Sequence, residues 1–142
     1  MPHRLALFFA LALSTASAAP VGTARLIDLD GRNVGQVSFD VRPDGRVVLN
    51  LSGARRIAAP GIRLLLSTFA GPIRQGDKAA IRTAYIDAGA VRRADEAFVL
   101  PKNVKLNVFR SVVVWCTGAG LPLGGGKLTL AAENRSSARR AP

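Results

Sequence analysis

Turn-forming residues cut this chain into short apolar segments from end to end, and that punctuation limits what it can fold into. Asp30-Gly31-Arg32-Asn33, Pro43-Asp44-Gly45, Pro60-Gly61, Gly71-Pro72 and Gln75-Gly76-Asp77 each mark a reversal or a loop. Proline presets φ early in a turn and glycine accepts positive φ late in it. Between these signals Thr23 to Leu29 alternates imperfectly. Val34 to Val41 puts Val37, Phe39 and Val41 on one face, and Val47 to Leu51 follows as its hairpin partner. Ile62 to Thr68 is apolar enough for a core strand. Ala84 to Ala88, Ala97 to Leu100, Val104 to Val108, Ser111 to Cys116 and Lys127 to Leu130 complete the series. No ten-residue stretch shows helical periodicity, although Ile81 to Ala94 is ambiguous between helix and strand. Short strands at this spacing predict an all-β fold, a single antiparallel β-sandwich of about seven to nine strands.

The start of the chain has a different pattern. Arg4 supplies a short positive beginning, Leu5 to Leu13 is an unbroken apolar run, and Ala16-Ser17-Ala18 is a small-x-small cleavage site. The run is too short to cross a bilayer, so residues 1–18 are expected to be a removable export signal. No cysteine follows the small residues to take a lipid. Cleavage after Ala18 leaves 124 of the 142 residues, enough for one domain with a core and too few for two. The expected organisation is a signal over 1–18, one domain over 19–132 and a polar, basic, frayed tail over 133–142. The expected location is periplasmic or secreted, with no transmembrane segment after signal removal.

Charge is lopsided. Of twenty Lys and Arg residues sixteen are arginine, against nine Asp and Glu. Losing Arg4 with the signal leaves nineteen basic residues against nine acidic ones, a formal +10. Such a surface attracts nucleic acid, anionic lipid or an acidic protein partner. The arginines are scattered and form no stripe, which fits biased composition. No aromatic residues interleave with them, so no specific nucleic-acid binding is expected.

The inventory of reactive side chains is short. The only histidine is His3 and the only methionine is Met1, both inside the signal, and there is one cysteine. One copy of the mature chain therefore cannot build a zinc, blue-copper or iron–sulfur site, and no metal site is expected. A Ser-His or Cys-His catalytic pair lacks its base. Covalent haem attachment needs a Cys-x-x-Cys-His run, which is absent. Haem could be held only through a Cys116 thiolate or a Tyr85 phenolate, so no cofactor is expected. Gly124-Gly125-Gly126 lacks the lysine and helix start of a phosphate loop and is expected to form a tight turn.

Cys116 is the residue with chemistry to offer. In an exported chain a single cysteine is buried and inert, paired with another molecule, or chemically used. The two-residue strand period puts Ser111, Val113 and Trp115 on one face and Val112, Val114 and Cys116 on the other. Cys116 thus ends an apolar row where Thr117-Gly118 takes the strand out of the sheet, a place from which a thiol can reach solvent. Burial with the valines would make it inert, whereas exposure beside Arg110 and other arginines would favour reaction. Arg110 and Trp115 are the supporting candidates.

The stretch Phe109-Arg110-Ser111-Val112-Val113-Val114-Trp115-Cys116, with Leu128 twelve residues on, resembles the closing motif of the DM-thirteen domain, the electron-transfer DM domain. That motif is a Lys/Arg-Ser-Val-aliphatic-aliphatic-Trp/Tyr-Cys run leading to a final strand. Pro60 to Ser67 is similar to the family's Gly-Pro-Asp-Leu-x-Val-x-Leu-Ser strand, and Ala97 to Pro101 to its Tyr-x-Leu-Pro segment. The resemblance spans roughly residues 22 to 131, and its specific part is the Trp-Cys strand. It implies an exported β-sandwich, found at times beside haem-binding or cytochrome-type domains, whose cysteine acts in redox chemistry; that role falls on Cys116. The chain departs from the family with Ala119 and Leu123 where aromatic residues follow the cysteine, with Pro122 and the triple glycine, and with Gly61 where Asp is frequent. Separately, Ala24 to Phe39 looks like the opening hairpin of copper–zinc superoxide dismutases, without any of their histidine ligands. Two functions stay open: an exported redox or electron-transfer accessory protein working through Cys116 with an exported redox partner, an acidic one being suited to the basic surface, or a non-catalytic binding module in which Cys116 is core filling.

Overall fold

The computed structural model describes residues 19–131. The readings of 1–18 as a signal and 133–142 as a tail lie outside the described residues. The elements in chain order are strands β1 (Gly22–Asp28), β2 (Asn33–Val41), β3 (Val47–Ser52) and β4 (Ile62–Ser67), a one-turn helix α1 (Ala79–Arg82), β5 (Tyr85–Ala90), β6 (Glu96–Val99), a 3-10 turn (Leu106–Val108), β7 (Ser111–Cys116), β8 (Leu121–Lys127) and β9 (Thr129–Leu130). Aspartates build the first two reversals. Asp28 Oδ1 accepts the N–H groups of Asp30 and Arg32 at 2.9 and 2.8 Å. Asp44 Oδ1 accepts that of Arg46 at 3.0 Å. Such side-chain caps replace backbone partners that a turn withdraws.

The all-β, antiparallel expectation holds. Every ladder is antiparallel, and the strands form one sheet in the order β5-β4-β7-β8-β1-β2-β3-β6, with β9 added to β1. The sheet curls until it is nearly closed into a barrel, so its two halves face each other across one core. Its edges, β5 and β6, are consecutive in the chain, and the Phe98 ring of β6 lies over Gly89 of β5, filling the space a side chain there would need. Leu26, Val37, Phe39, Leu49, Leu64 and Val112 are wholly buried inside. A smaller cluster of Leu65, Ala80 and Val113 lies on the outer face of β4 and β7, with Phe69, Ile73, Ile81 and Trp115 packed on it. The β4–β5 connection supplies that cover, so Val112, Val113 and Val114 of β7 are all inaccessible. A strand buried on both faces reads as an unbroken apolar run, as this one does.

Three expectations are corrected. Val104 to Val108 is not a strand but a crossing under one mouth of the barrel that ends in the 3-10 turn. Val104 and Leu106 pack on the core while Lys105 and Asn107 are exposed, so a cap buried from one side mimics a strand's two-residue period. Lys127 to Leu130 is divided at Leu128, where pairing with β1 passes from β8 to β9. Gly124-Gly125-Gly126 is not a turn but the middle of β8, between β7 and β1. A methyl group at Gly124 or Gly126 would overlap the carbonyl oxygen of Ile27 or Arg25, and one at Gly125 that of Val112. The tract is glycine because neighbouring backbone occupies the place of each side chain. The ambiguous Ile81 to Ala94 segment divides into the end of α1 and the whole of β5.

Gly126→Ala is therefore expected to destabilise the fold by at least about 2 kcal/mol, because backbone must move to admit the methyl group. Chemical denaturation checks it; an unchanged midpoint would show that β8 and β1 separate easily.

Candidate functional site

Cys116 is the last residue of β7, paired with Ile62 of β4 and Leu121 of β8. It belongs to the inner row expected from the strand period. Val112 and Val114 of that row are fully buried, whereas Cys116 is half-buried and packs on the rim of the main core. Beyond it the chain turns back at once, the Gly120 N–H donating to the Cys116 carbonyl at 2.9 Å. Thr117 fixes this corner against the β3–β4 connection. Both its N–H and its Oγ1–H donate to the Gly61 carbonyl at 2.9 Å. Gly61 has φ +80°, and a β-carbon there would stand 3.2 Å from Thr117 Oγ1. That left-handed conformation, next to Thr117, accounts for glycine at this position.

Trp115 points the other way, as expected, and is half-buried in the outer cluster. It lines a cleft of about 210 Å³ with Tyr85, Ile81, Thr117, Arg63 and Asp87. Arg63 Nε donates to Asp87 Oδ2 at 2.6 Å, joining β4 to β5 across the cleft floor. With 37% and 40% of these side chains exposed, the pair orients the two groups more than it stabilises the fold.

Arg110 is not brought to Cys116. It precedes β7 at the opposite end, roughly 20 Å away along an extended strand. Its N–H donates to the Ser67 carbonyl at 2.8 Å, and its carbonyl accepts the Leu128 N–H at 2.9 Å. Its side chain borders a separate cleft of about 300 Å³ with Lys127, Ile73 and the bare backbone of Gly125 and Gly126. Nor do the two conceivable haem ligands converge. Tyr85 lines the outer cleft beside Trp115, whereas Cys116 packs on the main core inside the barrel. Among the described residues no group of three or more His, Cys, Asp and Glu side chains could hold a metal ion.

The residues that sequence reasoning missed are Ser67 and Ser111, cross-strand partners on β4 and β7 and, among the described residues, the two buried polar side chains. Ser67 Oγ donates to the Ala80 carbonyl at 2.6 Å and accepts the Phe69 N–H at 3.1 Å. Ser111 Oγ donates to the Phe69 carbonyl at 2.8 Å. Together they hold the β4–β5 connection over the outer cluster that seats Trp115. A serine at the end of each apolar run was the only signal, and only their pairing gives it meaning.

No protein-family model matches this chain, no curated protein matches it, and no solved structure matches it.

Ser67→Ala leaves the Ala80 carbonyl and the Phe69 N–H without this partner, and a cost of about 1–3 kcal/mol is expected. Hydrogen exchange should quicken selectively over residues 68–84; uniform acceleration across the barrel would show that Ser67 does not hold that segment in particular.

Proposed function

We propose that this chain is an exported redox accessory protein of the DM-thirteen kind, working through Cys116. The observation that carries the reading is the gradient along the inner row of β7: Val112 and Val114 are sealed, and the thiol that follows them is partly open at the barrel rim. The turn behind it, Thr117-Gly118-Ala119-Gly120, has only small side chains to obstruct an approaching partner. Only an accessible thiol can exchange or be oxidised.

The step is thiol–disulfide exchange with the disulfide of an exported partner protein. Cys116 loses its proton to solvent, and its thiolate attacks one partner sulfur. The partner's S–S bond breaks as the mixed disulfide forms, and the departing sulfur leaves as a thiolate that takes up a proton. The chain has no second cysteine, so an external thiol or a second copy must resolve the adduct. The reading calls for no metal and no haem. Export rests on the pattern of residues 1–18.

A second reading has its own support. Cys116 packs against the main core, as it would in a binding module where the thiol only fills space. The two readings part on reactivity. Under the first, Cys116 in the native protein is alkylated within a small factor of the rate in denaturant, and glutathione disulfide yields one reducible adduct per chain, absent in Cys116→Ser. Protection until denaturant is added, together with Cys116→Ala folding at a cost of about 1 kcal/mol, would leave the binding module standing.

A further inference from the structure

We propose that the end of the barrel opposite Cys116 docks on an anionic lipid bilayer. Two connections form this end, the β2–β3 turn and the crossing over residues 100–108. Here the molecule exposes large apolar side chains: Val41 is 53% accessible, Val108 49% and Val21 38%. Val41 continues the inner row of Val37 and Phe39, but it stands beyond the mouth, where no opposite wall covers it. With Val47, Leu106 and Leu130 it borders a cleft of about 810 Å³ open to solvent.

Cations ring these valines. Arg42, Lys102 and Lys105 are exposed and Arg46 is partly so. Lys105 lines the apolar cleft itself, and Arg46 shares an adjoining cleft of about 590 Å³ with Lys102. Among the described residues the single acid bordering either cleft is Asp44, and Arg42 lies 3.7 Å from it. Ala131 also borders the apolar cleft, and the sequence beyond it carries Arg135, Arg139 and Arg140 against Glu133.

An apolar centre with a basic rim matches a bilayer surface in both respects. The valines enter the boundary between headgroups and acyl chains, while the cations meet anionic headgroups. A nucleic acid would use the cations only, and among the described residues no aromatic side chain borders either cleft to stack on a base. Docked this way, the protein holds Cys116 at its far end, about 15–20 Å from the lipid by strand length. The inference is independent of the redox reading, since it involves neither Cys116 nor Trp115.

The test is flotation of the chain beginning at Ala19, which retains every described strand and lacks the Leu5–Leu13 run that would itself seek lipid. Vesicles of phosphatidylcholine with roughly one-third phosphatidylglycerol are compared with phosphatidylcholine alone. Partitioning to the anionic vesicles is expected, weakened about fivefold or more by Lys102→Glu and again by Lys105→Glu. Val41→Ser with Val108→Ser, which leaves every charge in place, is expected to weaken it severalfold. Arg55→Glu with Arg56→Glu, on the exposed β3–β4 connection at the Cys116 end, is expected to change it less than twofold. Unaltered circular dichroism confirms that each variant is folded. The proposal is overturned by failure to bind anionic vesicles at low salt, by indifference to the valine pair, by equal sensitivity to Arg55 and Arg56, or by tighter binding to DNA or an acidic protein through the same lysines.

Discussion

The close approach of β8 to both of its neighbours is the constraint on which the barrel depends. Gly124, Gly125 and Gly126 present no side chains to β1 or β7, and the carbonyl oxygens of Ile27, Arg25 and Val112 occupy the space those side chains would need. A sheet that closes on itself must twist and coil more than an open one. A bare stretch beside β7 lets that coiling occur without expelling the central valines. The curled sheet then lays β1, β2 and β3 over β4 and β7, and Phe39, Leu49, Leu64 and Val112 share one interior. The glycines have structural reasons: the triple glycine admits neighbouring backbone, and Gly61 takes a left-handed conformation against Thr117.

Closure also gives the molecule two unlike ends. At one, the β3–β4 connection inserts Ala54 and Ile57, both buried, and is tied through Gly61 to the corner after Cys116. At the other, the crossing over 100–108 turns Val104 and Leu106 inward but leaves Val41 and Val108 outside. A contiguous exposed apolar patch marks either contact or liability, whereas single exposed apolar residues are ordinary. The cations around these valines favour contact. A thiol at one pole and a lipid-facing surface at the other would suit a protein held at a membrane while it serves partners in the space beyond.

Much of this was legible residue by residue. The turns at Asp30-Gly31 and Pro43-Asp44-Gly45 act through local backbone preference, so they could be read directly. The opposite faces of Trp115 and Cys116 follow from strand pleating alone. The errors came where a pattern had two causes. Alternation over Val104 to Val108 arises equally from a strand and from a segment capping a core from one side. Three glycines accompany turns more often than strands, because the usual reason for glycine is conformational freedom rather than close packing. Arg110 was grouped with Cys116 because the two are near in sequence, yet an extended strand holds two residues six positions apart at maximal separation.

The sequence by itself determined the all-β class, the antiparallel hairpins, the inner and outer rows of β7 and the confinement of thiol chemistry to one position. These depend on local sterics, on the two-residue period and on composition, none of which needs long-range information. Only the tertiary structure decided that one sheet curls until it is nearly closed, that Ser67 and Ser111 join to hold the cover over Trp115, and that Val41 finishes outside the mouth with Arg46 and Lys102 nearby. It also decided that Cys116 is half-covered rather than sealed. Each of these depends on where residues distant in sequence come to lie, and that is set by which strands pair and how strongly the sheet coils, a property of the closed barrel as a whole and of no single segment.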